Sequence, residues 1–162
     1  MADGPKLDGN KWIIEKVDGK QDIVVNATET KQSVLISNCS NFVVTVKGKV
    51  SSITINKCST GGVIFDDVIA SVELMNGKKI QLQANGAVPT IQVDKTEGAT
   101  VFLQTEAGQK ADIISSLASE VNVVLPAADD NSDPSELPIP YQFKTNVKDG
   151  KLVTAPVDHV GV

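Results

Sequence analysis

Three groupings have residue types and spacing that could do chemistry: adjacent carboxylates Asp66 and Asp67, cysteines Cys39 and Cys58, and the lysine pair of Lys47-Gly48-Lys49. Paired carboxylates can act as general acid and base. Neighbours along a strand face opposite ways, however, so a bend is the expected place for Asp66 and Asp67. Two cysteines can form a disulfide, a pair of free thiols or half of a zinc site. The only histidine, His159, stands near the end of the chain, so no metal is expected. All fifteen basic residues are lysine. Lack of arginine removes the arginine finger of phosphoryl transfer and the planar forks that grip nucleic acid. A net charge of −5 with one Trp, one Tyr and four Phe points the same way, so nucleic acid is not an expected partner. Neither a catalytic residue nor a cofactor is expected, and the chain reads as a binding protein.

The elements that must hold these groups follow a period of 19 residues. Ser33-Val34-Leu35-Ile36-Ser37-Asn38-Cys39-Ser40 returns at Ser52 to Ser59, again from Ser71, and again from Thr90. Repeats at a fixed period signal stacked units. Columns Val34/Ile53/Val72/Ile91 and Ile36/Ile55/Leu74/Val93 are apolar, while Leu35/Thr54/Glu73/Gln92 between them is mostly polar. That alternation is a half-buried strand, and the aligned Val44, Val63, Leu82 and Val101 mark a second strand in each unit. Two strands in 19 residues leave no room for a crossover helix, so each strand lies parallel to its counterpart one turn earlier. The period therefore predicts an all-β parallel β-helix. Residues 12–32 read as an earlier coil and residues 113–125 as a later one after a short insertion, giving about six coils and a stack of roughly 29 Å.

Column positions give the chemical candidates a bland alternative. Cys39 and Cys58 share a column with their α-carbons about 4.8 Å apart. Parallel strands point both side chains the same way, so structural free thiols are expected. Lys47 and Lys49 flank a corner glycine, Asp66-Asp67 falls in the same corner, and Lys95-Thr96 lies in the columns of Lys57 and Cys58. Gly48 and Gly86 recur where bends favour positive φ, with Asp67 between them in that column. No column stacks acids as a polysaccharide-cleaving groove would need. The sequence divides into residues 1–10 as a linker or N-terminal extension, 11–128 as the β-helix core, 129–140 as an acidic proline-rich linker and 141–162 as a hairpin and tail. In that last segment Tyr141, Phe143, Thr145 and Val147 alternate with polar residues before an Asp149-Gly150 turn, a hairpin signal. An isolated hairpin is marginal in water and an open coil leaves unpaired edges, so docking would serve both. With neither an 18-residue apolar run nor a signal sequence, no membrane span and a cytoplasmic location are expected.

Lys47-Gly48-Lys49-Val50-Ser51-Ser52-Ile53, Gly62-Val63-Ile64-Phe65-Asp66-Asp67-Val68, Val88-Pro89-Thr90-Ile91, Lys95-Thr96-Glu97-Gly98 and Pro138-Ile139-Pro140-Tyr141-Gln142-Phe143-Lys144 occur in that order. The chain from about Gly9 onward thereby resembles the C-terminal domain of the cyclase-associated proteins. The resemblance implies a right-handed parallel β-helix with a C-terminal β-hairpin extension. It also implies a homodimer by exchange of hairpins and a cytoskeleton-associated module that binds G-actin, preferring the ADP-bound form, and promotes exchange of ADP for ATP. On that reading the actin-binding candidates are Lys47, Lys49, Asp66, Asp67, Lys95, Thr96, Gln142 and Lys144, with residues of the C-terminal tail. The dimer candidates are Tyr141, Phe143, Val147, Leu152 and Val153. Tyr141 stands where the family usually has Glu. An alternative with the same coil fold is a GTPase-activating domain like that of tubulin-binding cofactor C, which uses a catalytic arginine that this chain lacks.

Overall fold

The structure, a computed structural model, describes residues 4–157. Two seven-stranded sheets face each other, and the chain alternates between them. Sheet A holds β2 (Lys11–Glu15), β4 (Ser33–Ser37), β6 (Val50–Asn56), β8 (Val68–Met75), β10 (Thr90–Asp94) and β12 (Asp112–Ser116), all parallel. Sheet B holds β3 (Ile23–Asn26), β5 (Ser40–Lys47), β7 (Ser59–Phe65), β9 (Lys78–Ala84), β11 (Glu97–Leu103) and β13 (Ser119–Leu125), also parallel. The result is a parallel β-helix of six coils. Its registers match the 19-residue period through the middle: Val34 pairs with Ile53, Ile53 with Val72, and Val72 with Ile91. Before the sixth coil the period lengthens, Ile91 pairing with Ile113, and the extra residues form a short 3-10 turn at Gly108–Lys110.

Alternation places every second side chain inside. β4 and β10 bury Val34 and Ile36, and Ile91 and Val93, while their neighbours face out. Stacking identical columns lets β-branched side chains pack against their own kind one coil away, which suits a narrow interior. Phe42 and Phe65 are the largest fully buried side chains. Phe42 fits because its partner Gly61 has no side chain: a Cβ there would fall on the ring. Buried Gln32 accepts hydrogen bonds from the Trp12 indole at 2.9 Å and the Thr28 N–H at 3.0 Å, and donates to the Thr28 hydroxyl. Among the described residues no buried side-chain nitrogen or oxygen lacks a partner.

The ends depart from the expected segment boundaries. Lys6–Asp8, within the expected extension, is β1, which turns at Gly9 (φ 60°) and pairs antiparallel with β2. Ser135–Pro138, within the expected linker, is β14 and pairs antiparallel with β13. Each covers one outer edge of one sheet, where a row of backbone donors and acceptors would otherwise stay open. Among the described residues the opposite outer edges, β3 in sheet B and β12 in sheet A, carry no further strand. β15 (Phe143–Lys148) and β16 (Lys151–Pro156) form a third, separate two-stranded sheet.

Candidate functional site

The candidate residues fall in three places. Lys47, Lys49, Asp66 and Asp67 share the corner where sheet B turns back to sheet A, and all four are exposed. Asp66 and Asp67 do not face a common substrate position. Asp66 reaches back one coil, accepting a hydrogen bond from the Gly48 N–H at 3.1 Å, whereas Asp67 reaches forward and accepts from the Ala87 N–H at 2.8 Å. They tie three consecutive coils, which is a structural role at a bend rather than acid–base work. Gly48 has φ 95°, as expected of a corner glycine, but Gly86 does not share that conformation. Gly86 is required by closeness instead: a Cβ there would run into the Asp67 carboxylate and come within 2.8 Å of its backbone nitrogen. With both carboxylates held by backbone N–H groups, the lysine ammonium groups are left without a carboxylate within 4.0 Å; among the described residues the one ion pair that close is Lys31–Glu29.

Lys95 and Thr96 lie at the opposite corner, where sheet A passes to sheet B. Lys95 is exposed. Thr96 is 2% exposed, and its hydroxyl donates to the Asp94 carbonyl at 2.9 Å while accepting from the Gly77 N–H at 3.2 Å. A hydroxyl so engaged serves the corner, not a partner surface. Cys39 and Cys58 occupy the same column three and two coils earlier, both as buried free thiols. Their Sγ atoms donate to the Ser37 and Asn56 carbonyls at 3.3 and 3.4 Å. The neighbouring Cys39 thiol and burial push the Cys58 thiol up, away from the reactive thiolate.

This corner also carries a feature that the glycine pattern misses. Lys16, Asn38, Lys57, Asn76, Lys95 and Leu117 all have left-handed backbones with φ between 47° and 57°. Three residues further on, a second left-handed column holds Gly19, Asn41, Thr60, Lys79, Gly98 and Glu120. Asparagine tolerates that conformation and, with Gly19 and Gly98, offers the sequence signal available; lysine, leucine and threonine conceal it. The backbone ladder holds it in place, since Asn38 N donates to Asn56 O, Lys57 N to Met75 O and Asn76 N to Asp94 O.

The hairpin carries the third group. Its register sets Phe143 against Pro156, Thr145 against Thr154 and Val147 against Leu152 on one face. Lys144, Asn146 and Lys148, with Ala155, Val153 and Lys151, make the other. Val153 therefore shares a face with Lys144, opposite Phe143, Val147 and Leu152, because the two-residue Asp149-Gly150 turn fixes the pairing. Among the described residues nothing covers the apolar face: Phe143 is 56% exposed, Val147 72% and Leu152 74%. Tail residues 158–162, with His159, lie outside the described residues.

Sequence and fold both have known counterparts. Residues 4–159 match the family described as adenylate cyclase associated (CAP) C terminal. Adenylyl cyclase-associated protein 2 of Rattus norvegicus is 42% identical over 153 residues, 94% of this chain and 31% of that protein. The adenylyl cyclase-associated protein of Dictyostelium discoideum is 40% identical over 154 residues, 95% of this chain and 33% of that protein. The chain thus spans about a third of the length of the curated relatives it matches. The crystal structure of cyclase-associated protein from Cryptosporidium parvum aligns with a TM-score of 0.87 at 29% identity, covering 94% of each chain.

Proposed function

The chain belongs to the adenylate cyclase-associated protein C-terminal family, and from that premise we propose that it binds actin monomers and promotes replacement of ADP by ATP on actin. Its setting on this reading is the cytoplasm, associated with the cytoskeleton. The observation that carries the reading is the rigid corner of Lys47 and Lys49. The neighbouring carboxylates hold backbone N–H groups of adjacent coils, so the two ammonium groups stand ready for acidic groups on a partner. Lys95 on the opposite corner and Gln142 and Lys144 on the hairpin are further contact residues. Asp66, Asp67 and Thr96 act by shaping the corners.

Exchange would be accelerated by binding the open or nucleotide-poor form of actin more tightly than the closed ADP form. Only such a difference in affinity shifts the equilibrium between them. The nucleotide belongs to actin, and the chain supplies a surface, not a reacting group. The module works as a homodimer on this reading. Among the described residues the apolar hairpin face has no cover and β12 has an open edge, so exchange of hairpins between two copies would satisfy both.

Release of a fluorescent nucleotide from ADP-actin tests the reading, with acceleration expected in the presence of the chain. Replacing Lys47 and Lys49 together by alanine is expected to weaken actin binding by about tenfold, the scale of one or two interface contacts, with the coil's unfolding unchanged. Nucleotide release at the spontaneous rate with the intact chain would overturn the exchange activity, and unaltered affinity in the double variant would remove this corner from it.

A further inference from the structure

The charge of the molecule is unevenly placed along the chain. Residues 1–105 balance eleven lysines against eleven carboxylates. Residues 106–140, which close the last coil and lead out of it, carry seven carboxylates against the single Lys110. Four of those seven, Asp129, Asp130, Asp133 and Glu136, stand within eight residues and are exposed. The hairpin that follows reverses the sign, with Lys144, Lys148 and Lys151 against Asp149. All three lysines lie on the face away from Phe143, Val147 and Leu152. The charge separation is thus confined to the end of the coil and the hairpin. Residues 1–105 carry no net charge.

From this distribution we infer that the acidic coil end of a second copy of this chain attracts the lysine face of the hairpin, so that hairpin exchange is electrostatically steered. The inference rests on the dimer reading above. Summed charges of opposite sign raise the encounter rate and fix the orientation of approach, even where few close ion pairs form. The apolar face then supplies burial and the edge of β12 supplies backbone pairing, while the lysine face selects which end of which coil the hairpin meets. The other outer edge, β3, lies at the far end of the stack, in the balanced part of the chain, and offers no such attraction. Steering thereby separates two edges that backbone hydrogen bonding alone would treat alike.

The test uses two full-length variants. One carries Lys144→Glu, Lys148→Glu and Lys151→Glu. The other carries Asp130→Lys, Asp133→Lys and Glu136→Lys, sparing Asp129 because its carboxylate accepts the Asn131 N–H at 2.9 Å and shapes that turn. Every substituted side chain is exposed, and far-ultraviolet spectra matching the parent establish that both fold. Unfolded, mixed in equal amounts, refolded in low salt and analysed by native mass spectrometry, the pair is expected to give more than about nine-tenths heterodimer. In about 0.5 M salt, where screening acts within a few ångström, the fraction should fall toward the statistical half. A fraction near one half at both salt concentrations, with dimers present, overturns the steering and leaves the exchanged dimer standing. A parent chain that stays monomeric at tens of micromolar overturns both.

Discussion

Coil and hairpin are built from strands of similar length with the same alternation, yet they end in opposite states. β5, β9 and β11 each bury three side chains in seven or eight residues, and the inner face of each coil meets its neighbours in the stack. β15 and β16 are exposed at every position. Propensity does not separate them, since Phe, Val and Thr fill both. What separates them is the number of neighbours: a coil strand inside the stack has one on either side and a second sheet opposite, whereas a hairpin strand has a single partner and no opposing layer. Burial in this molecule is a property of the stack, and a strand outside it must find a stack to join.

The largest expected effect tests that contrast directly. Phe65→Ala removes a ring that is fully buried between neighbouring coils, and should cost about 3–5 kcal/mol of unfolding free energy, a large share of the stability of a domain this size. Removing the whole hairpin by ending the chain at Pro140 should leave chemical unfolding of the coil nearly unchanged while converting the dimer to a monomer in sedimentation. Ending it at Pro134 also strips β14 from β13 and opens a second edge, so that shorter chain should aggregate. If loss of the hairpin unfolds the coil, or if Phe65→Ala is tolerated, the division between self-sufficient stack and dependent hairpin fails.

A smaller effect is expected where a single hydrogen bond ties coils from outside. Asp67→Ala frees the Ala87 N–H, which is exposed enough to turn to water, so a loss of about 1 kcal/mol is expected. Equilibrium unfolding in urea reads it. A loss above about 3 kcal/mol would mean that the corner carries weight the core was assigned. The change should also soften the lysine corner, so it doubles as a check on the actin surface: affinity should drop while Lys47 and Lys49 remain in place.

Much of the stack could be read directly from the residues, because a column such as Val34/Ile53/Val72/Ile91 states both the register and the face. The hairpin turn was equally plain in Asp149-Gly150, the dipeptide that two left-handed residues prefer. The corners were not. Gly86 reads as a positive-φ glycine but is needed for the closeness of Asp67, a contact between residues 19 apart that no local pattern records. Thr96 stands beside Lys95 among the actin-binding candidates, and its burial follows from a column that begins with Cys39 and Cys58. β1 and β14 were hidden because a strand that covers an edge needs neither alternation nor an apolar face. The face that Val153 takes was hidden for a simpler reason, since only the register shows which cross-strand partner it has.

The left-handed residues offer the finest version of the comparison. In the hairpin, Asp149 (φ 51°) and Gly150 (φ 74°) adopt that conformation by their own preference. In the coil, Thr60 adopts it at φ 49° against its preference, because a β-branched side chain crowds the backbone there and the ladder holds it regardless. The left-handed conformation costs an ordinary residue roughly 1–2 kcal/mol, and asparagine less. Thr60→Asn should therefore stabilise the coil by about 0.5–1 kcal/mol, matching the residue that Asn41 already places one coil earlier in that column. Asp149→Thr introduces the same mismatch into the hairpin, where no neighbouring strand enforces the turn. There the expected outcome is a frayed turn and a weaker dimer, with the coil's unfolding midpoint unmoved. Thr60→Asn without any gain would mean that the ladder had already relaxed the strain. A shift of the coil midpoint in Asp149→Thr would mean that the hairpin reports to the stack, contrary to the separation drawn between them.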